Sequence, residues 1–187
     1  GGRILLVENL AQSLAINPEP AQAASLLEQK ALTSTFMADY FGDNQGAFTI
    51  RPDSKMPDGF DPRTRPWYKD AVNSSSASLT EPYIDAVTGQ MIISIGSAVK
   101  KAGQTLGVAG ADLSLQTITD TINALNFNGL GYAFLISGDG KVLVHPDKTL
   151  VTQYLKDNYP QDKPPISSAF SEIQANGKTR IMTFTTV

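Results

Sequence analysis

Apolar residues in the first part of the chain recur at helical spacing. Ile4, Leu5, Leu10, Leu14 and Ile16 lie near a 3.6-residue period, which predicts an amphipathic helix over residues 3–16. Pro18 and Pro20 interrupt it, and Leu26, Leu27 and Leu32 mark a second helical stretch over residues 21–33. The period then shortens. Residues 35–40 and 47–51 read as strands around a turn at 42–46. A Pro/Gly/Asp loop over residues 53–61 leads to a short helix at 65–72, opened by Pro66. After a polar loop at 73–78 come strands at 80–83, 90–99 and 105–113, joined at Thr88-Gly89 and Lys101-Ala102-Gly103. Gly107 and Gly110 in the last strand would let a ligand or a neighbouring backbone approach closely. Ile118, Ile122 and Leu125 give one more helix over residues 115–125.

A weak internal repeat follows from the same pattern. FMADYFGDNQGAFTIRPD at 36–53 parallels YAFLISGDGKVLVHPD at 132–147. Each has an apolar strand, a Gly-Asp turn, a second strand and a basic residue before Pro-Asp. Chance similarity of two hairpins is one reading, and two related sheet modules in tandem is the other. The second module is then short and incomplete at its C-terminal end.

Composition narrows the classes. The 187 residues are 41% hydrophobic and 18% charged, which predicts a folded core rather than disorder. A net charge of −3 gives no electrostatic reason to expect nucleic acid. With no cysteine there is no disulfide framework and no thiolate metal site. His145 is the single histidine, which removes multi-histidine metal sites and most histidine relays; in VLVHPD it reads as structural. No run reaches the roughly 18 apolar residues that span a bilayer. The chain opens on Gly1-Gly2, has no signal peptide, and stops at Val187 in a strand-like run, so it reads as an excised domain.

The candidate chemistry lies between Phe60 and Asp112. Arg63, Arg65, Trp67 and Tyr68 fall close together, followed by Tyr83, Asp85 and Asp112. A guanidinium fork, an indole N–H and phenols suit a carboxylate. Two carboxylates and a tyrosine suit an ammonium. Together they suit a small zwitterion, and an α-amino acid is the obvious one. Each residue also has a plainer reading. Arg63 and Arg65 could be surface arginines, and Trp67, Tyr68 and Tyr83 could be core. Asp85 could be a turn residue before Val87-Thr88-Gly89. Asp112 could cap a helix starting at Leu113; as a buried carboxylate it would instead need a cation. An enzyme would need Asp85 and Asp112 as an acid/base pair, and nothing else in the chain supports that. The Gly-Asp-Gly at 138–140 is a hairpin turn rather than a phosphate loop, and no Walker-type, nucleophile-elbow or metalloprotease motif is present.

Arg65, Trp67, Tyr68, Tyr83, Asp85 and Asp112 stand in the order and spacing of the amino-acid-binding double Cache sensor domains of bacterial chemoreceptors, which this chain resembles over most of its length. One position departs, since the family pattern has a tyrosine where this chain has Phe60. The resemblance implies an α+β fold: a long N-terminal helix region at 1–34, a membrane-distal PAS-like antiparallel-sheet module at 35–127 and an incomplete membrane-proximal one at 128–187. It implies ligand binding between the distal sheet and the 65–72 helix. Arg65, Trp67 and Tyr68 would hold the carboxylate, and Tyr83, Asp85 and Asp112 the ammonium. It further implies extracytoplasmic sensing upstream of chemotaxis, with no catalysis, cofactor or metal. The intact receptor would be a homodimer in the inner membrane, with flanking membrane helices and a signalling region outside this chain. The isolated domain would be a monomer or weak dimer. The alternatives are a Cache sensor for an amine, a quaternary ammonium compound, γ-aminobutyrate or an organic acid, a sensor kinase domain, and, more distantly, a periplasmic enzyme or adaptor.

Overall fold

The computed structural model describes residues 2–125, 127–158, 166, 171–175 and 177–185. The chain divides into two compact units, Gly1–Leu115 and Gln116–Val187.

The first unit opens with helices α1 (Gly2–Ile16), α2 (Pro20–Leu27) and α3 (Lys30–Thr33). The helical stretch expected at 21–33 is thus two helices, because the backbone turns extended at Gln29, the cap of α3. Strands β1 (Ala38–Asp43) and β2 (Phe48–Arg51) follow, then α4 (Pro66–Val72). The first strand begins later than the 35–40 run predicts and continues through Gly42 and Asp43. Strands β3 (Ser78–Leu79), β4 (Tyr83–Ile84), β5 (Met91–Lys101) and β6 (Gln104–Ser114) complete the unit. The sheet runs in the order β2-β1-β6-β5-β3, with β4 also paired to β5, and every pairing is antiparallel.

Register sorts the side chains of this sheet by parity. Tyr40 is opposite Ile50 and Gly110, Gly110 is opposite Gly96, and Asp112 is opposite Ser94. Side chains alternate along a strand, so these even-numbered positions share one face. That face packs on α4, through a buried cluster of Tyr40, Ile50, Trp67, Tyr68, Ala71 and Val108. The odd-numbered positions, among them Ile93, Ile95 and Leu113, look the other way. On that side α1 packs against β5 and β6 and buries Val7, Leu10, Ala11 and Leu14. Each of the valine and leucine side chains contributes roughly 1.5–3 kcal/mol on burial.

Asp39 also points to the helix side, next to Tyr40 in sequence and 1% exposed. Neither of its carboxyl oxygens has a hydrogen-bond partner among the described residues. Burial pushes its pKa up to about 7, against a smaller opposing pull from Arg51, its cross-strand neighbour. Arg51 itself is committed to Glu28 at 2.8 Å.

The second unit carries α5 (Leu115–Asn123), β7 (Leu135–Ile136), β8 (Val142–Val144), α6 (Leu155–Asn158), β9 (Ser171–Ala175) and β10 (Lys178–Met182). β7–β8 and β9–β10 are antiparallel pairs. Both halves of the repeat read in the sequence therefore form hairpins, β1–β2 in the first unit and β7–β8 in the second. α5 buries none of its residues. His145 is buried between the rings of Tyr132 and Phe134, at 5.1 and 5.2 Å, and its Nδ1 accepts from the Asp147 backbone N–H. No described helix is long and apolar enough to cross a membrane.

Candidate functional site

Two glycines let the site assemble. A Cβ at Gly96 would lie 2.6 Å from the Trp67 carbonyl oxygen and 3.2 Å from the Ala71 Cβ. Its absence lets α4 lie directly on β5. A Cβ at Gly110 would lie 2.1 Å from the Tyr40 ring. The bare strand lets that ring cross β6 toward Asp112. Gly107 does the same for a backbone, that of Gly42, whose carbonyl oxygen would be 2.2 Å from an added Cβ. α4 is opened by Pro66 after an extended Arg65, which turns the Arg65 side chain off the helix start and toward β4.

Between α4, the sheet and the segment after β4 lies a cavity lined by Tyr40, Phe48, Ile50, Met56, Phe60, Arg65, Trp67, Tyr83, Asp85, Ala86, Val87 and Asp112. It holds about 280 Å³ of space free of atoms, of which about 20 Å³ is wide enough for the centre of a water molecule. That is room for about one water, so a larger guest must part the walls. One of these walls is the turn carrying Asp85, Ala86 and Val87. A roomier groove beside α1, lined by Glu8, Gln12, Ser75, Ser97 and Lys100, has no aromatic wall.

Six of the eight residues singled out in the sequence line this one cavity: Phe60, Arg65, Trp67, Tyr83, Asp85 and Asp112. Tyr68 does not. It is buried beside Trp67, with ring centroids 5.6 Å apart, and its hydroxyl points to the Asp43 carbonyl oxygen at 3.5 Å. Neighbours on a helix are turned about 100° from each other, and here Trp67 lines the cavity while Tyr68 does not. Arg63 lies outside as well, paired with Asp61 at 2.8 Å.

The cavity brings opposed charges together. Arg65 donates to the Ile84 carbonyl oxygen at 3.1 Å and lies 5.5 Å from the centre of the Tyr83 ring. No carboxylate among the described residues pairs with it. Asp112, also in its wall, is 4% exposed. It is not a helix cap, because β6 continues to Ser114 and places Asp112 inside the strand. One carboxyl oxygen, Oδ1, accepts from the Tyr40 hydroxyl and from Ser94 Oγ, each at 2.6 Å. Ser94 Oγ is in turn 2.6 Å from the Tyr83 hydroxyl. Burial pushes the Asp112 pKa up to about 6, with the bonds from Ser94 and Tyr40 opposing that rise and the charge of Asp85 adding to it. Burial and the Asp112 charge also raise the Tyr83 and Tyr40 phenols, which stay protonated. Asp85 serves its turn and the cavity together: Oδ2 accepts from the Thr88 N–H at 2.8 Å and the Thr88 hydroxyl at 2.6 Å.

Tyr40 and Ser94 were not among the residues read from the sequence. Tyr40 sits in an aromatic run that reads as core, and Ser94 is one small residue in the isoleucine-rich MIISIGS. The only sequence signal was a polar residue at an inward-facing position of a strand. The apolar remainder of the wall is Phe48, Ile50, Met56, Phe60, Ala86 and Val87, with the Phe48 and Phe60 rings 4.9 Å apart.

Comparisons with known proteins agree with this architecture. The chain is 52% identical over 186 residues to the methyl-accepting chemotaxis protein McpG of Pseudomonas putida, covering 100% of this chain and 29% of that protein. It is 50% identical to PctB of Pseudomonas aeruginosa, again over 100% of this chain and 30% of that protein. This chain thus spans about three tenths of the length of these relatives. Among solved structures, the ligand-binding domain of the Pseudomonas fluorescens chemoreceptor CtaA in complex with L-alanine is 69% identical. Its TM-score is 0.82, with 99% of this chain and 80% of that one covered. The PctB domain in complex with L-Arg is 50% identical with a TM-score of 0.83, covering 98% and 79%. A family model described as Cache domain, dCache_1, matches residues 4–187, and the chain belongs to that family.

Proposed function

We propose that this chain is the ligand-sensing domain of a chemoreceptor and that its ligand is a small L-amino acid. The carrying observation is one cavity lined both by an arginine with no acidic partner among the described residues and by a buried aspartate with no ion pair among them. Arg65 takes the carboxylate, with Trp67 as the wall beside it. Asp112, Asp85 and the Tyr83 hydroxyl take the ammonium. Tyr68 supports Trp67 from behind rather than touching the ligand. The apolar wall suits a short aliphatic side chain, as does the likeness to a domain solved with L-alanine, L-leucine and L-isoleucine. No step of catalysis is assigned to these residues. In the full receptor the domain would lie outside the cytoplasm between membrane helices, with selective binding shifting a conformational equilibrium toward the signalling state.

The test is a thermal-shift panel followed by calorimetry, using amino acids, amines, quaternary ammonium compounds, γ-aminobutyrate and organic acids. A ligand that binds the folded state raises the melting temperature, and at equal concentration a tighter ligand raises it more. Short aliphatic L-amino acids should give the largest shifts. A shift confined to simple amines or to purely anionic ligands would remove the amino-acid assignment. The isolated domain should sediment as a monomer or weak dimer, since the membrane that would tether two copies is absent; a tight dimer at nanomolar concentration would contradict this.

A further inference from the structure

The hydroxyls around Asp112 form a chain with a fixed direction. An ionised carboxylate only accepts, and a serine hydroxyl has one proton. Ser94 is fully buried and gives that proton to Asp112 Oδ1 at 2.6 Å. At the Ser94–Tyr83 contact, also 2.6 Å, the proton must therefore come from Tyr83. The Tyr40 proton goes to the same carboxyl oxygen. Every hydroxyl proton of the cluster thus points toward Asp112, and Tyr83, which lines the cavity, shows it only lone pairs. Ser94 itself does not line the cavity. Its place is fixed from the backbone: its N–H donates to the Thr80 hydroxyl at 3.0 Å, and its carbonyl accepts from the Thr80 N–H at 2.9 Å.

We propose that Ser94 is a positioning residue that sets ligand selectivity, by holding the Tyr83 hydroxyl as an acceptor so that the site demands an ammonium with N–H bonds to give. This inference rests on the amino-acid reading of the cavity. A primary ammonium has three N–H donors, and Asp112, Asp85 and Tyr83 are three acceptors lining the same cavity. Each N-methyl group removes one donor and leaves one acceptor unmatched in a buried site, which is costly. Without Ser94, the Tyr83 proton has no fixed acceptor and can turn into the cavity, where it opposes an ammonium and no longer penalises a methylated one.

The experiment measures affinities of L-alanine, N-methyl-L-alanine and N,N-dimethyl-L-alanine by calorimetry for wild type, Ser94→Ala, Tyr83→Phe and the double variant. In wild type, affinity should fall down this series. In Ser94→Ala, L-alanine should bind about tenfold more weakly, in line with loss of a charge-assisted hydrogen bond. The L-alanine to N,N-dimethyl-L-alanine ratio should collapse by a similar factor. Ser94→Ala should add little in the Tyr83→Phe background, because both changes remove the same interaction. An unchanged ratio, or effects that add in full, would overturn the proposal while leaving the amino-acid site intact. If wild type binds none of the three, the site reading fails and this inference fails with it. Should Ser94→Ala not fold, Ser94→Cys keeps the shape with a weak donor and acceptor, and its ratio is read in the same way.

Discussion

Tyr40 and Asp112 lie 72 residues apart in sequence, and their side chains meet at 2.6 Å across a glycine. Gly110 faces Tyr40 on the neighbouring strand, and its missing side chain is the path by which the ring reaches the carboxylate.

Gly110→Ala should therefore push the Tyr40 ring off β6 and break its bond to Asp112. Overpacking of this kind costs roughly 1–3 kcal/mol. Urea unfolding gives the stability change, and amino-acid affinity should fall in parallel. Tyr40→Phe keeps the ring and loses only the hydroxyl, so it separates packing from the hydrogen bond. A Gly110→Ala protein with wild-type stability would show that the ring does not need this passage.

Asp112 sets the pH response of binding. Its carboxyl is held up to about 6 by burial, and an ammonium ligand needs it ionised. Affinity for a zwitterion should be full above that value and decline as pH falls through 6. Binding near pH 6 should release a proton, visible as a dependence of the calorimetric heat on buffer ionisation. Asp85 and Arg65 line the same cavity and should shape the curve without moving its sign. Asp112→Asn should weaken binding by roughly 1.5–3 kcal/mol and flatten the profile. An unaltered affinity in that variant would take Asp112 out of the site.

Phe60 stands where the resemblance read from the sequence leads to the expectation of a tyrosine. Its ring lines the cavity and packs on Phe48 at 4.9 Å. A phenol there adds a donor that a ligand carboxylate can use, and a hydrogen bond to a charged acceptor contributes about 1.5–3 kcal/mol. Phe60→Tyr should tighten α-amino acids severalfold or more. Paired titrations of both proteins against amino acids, γ-aminobutyrate and betaines decide it. No gain for any α-amino acid would mean that the acidic end of the ligand sits elsewhere.

The sequence made the charged and aromatic edge of this site legible, because Arg65, Trp67, Asp85 and Asp112 are residue types with few plain reasons to cluster. What it could not carry was direction. Trp67 and Tyr68 are equal as letters, yet the helix turns one into the cavity and the other into the core. Tyr40 and Ser94 belong to the site through strand pairing, which brings β1 and β5 to either side of β6. Pairing over such separations leaves no local trace. The same holds for the split of the 21–33 helix and for the exposed α5, whose apolar period predicts a face that this unit does not bury.

Asp39 should make the folded state more stable in mild acid than in base. Its pKa is raised from 3.8 to about 7 on folding. The folded state therefore binds more protons than the unfolded one between these values, and stability falls as pH rises through that window. Asp39→Asn removes the buried charge. It should stabilise the protein at pH 8 by about 1–3 kcal/mol and have a smaller effect at pH 5. Thermal melts at the two pH values test this. An equal shift at both would assign the effect to packing instead.

Parity in the central sheet has a consequence for how such a domain can change. On β5 and β6, up to the bulge after Val99, ligand-side and helix-side residues alternate one by one. Substitutions at even positions can retune the pocket while leaving the seat of α1 untouched, and odd positions can be altered without disturbing the ligand. Insertions have no such freedom. One added or lost residue in either strand would exchange the two faces, sending isoleucines into the charged cavity and Ser94 or Asp112 into the helix interface. Variation in ligand preference among proteins of this build should therefore be written as point changes in these strands, while changes in length collect in the turns around them.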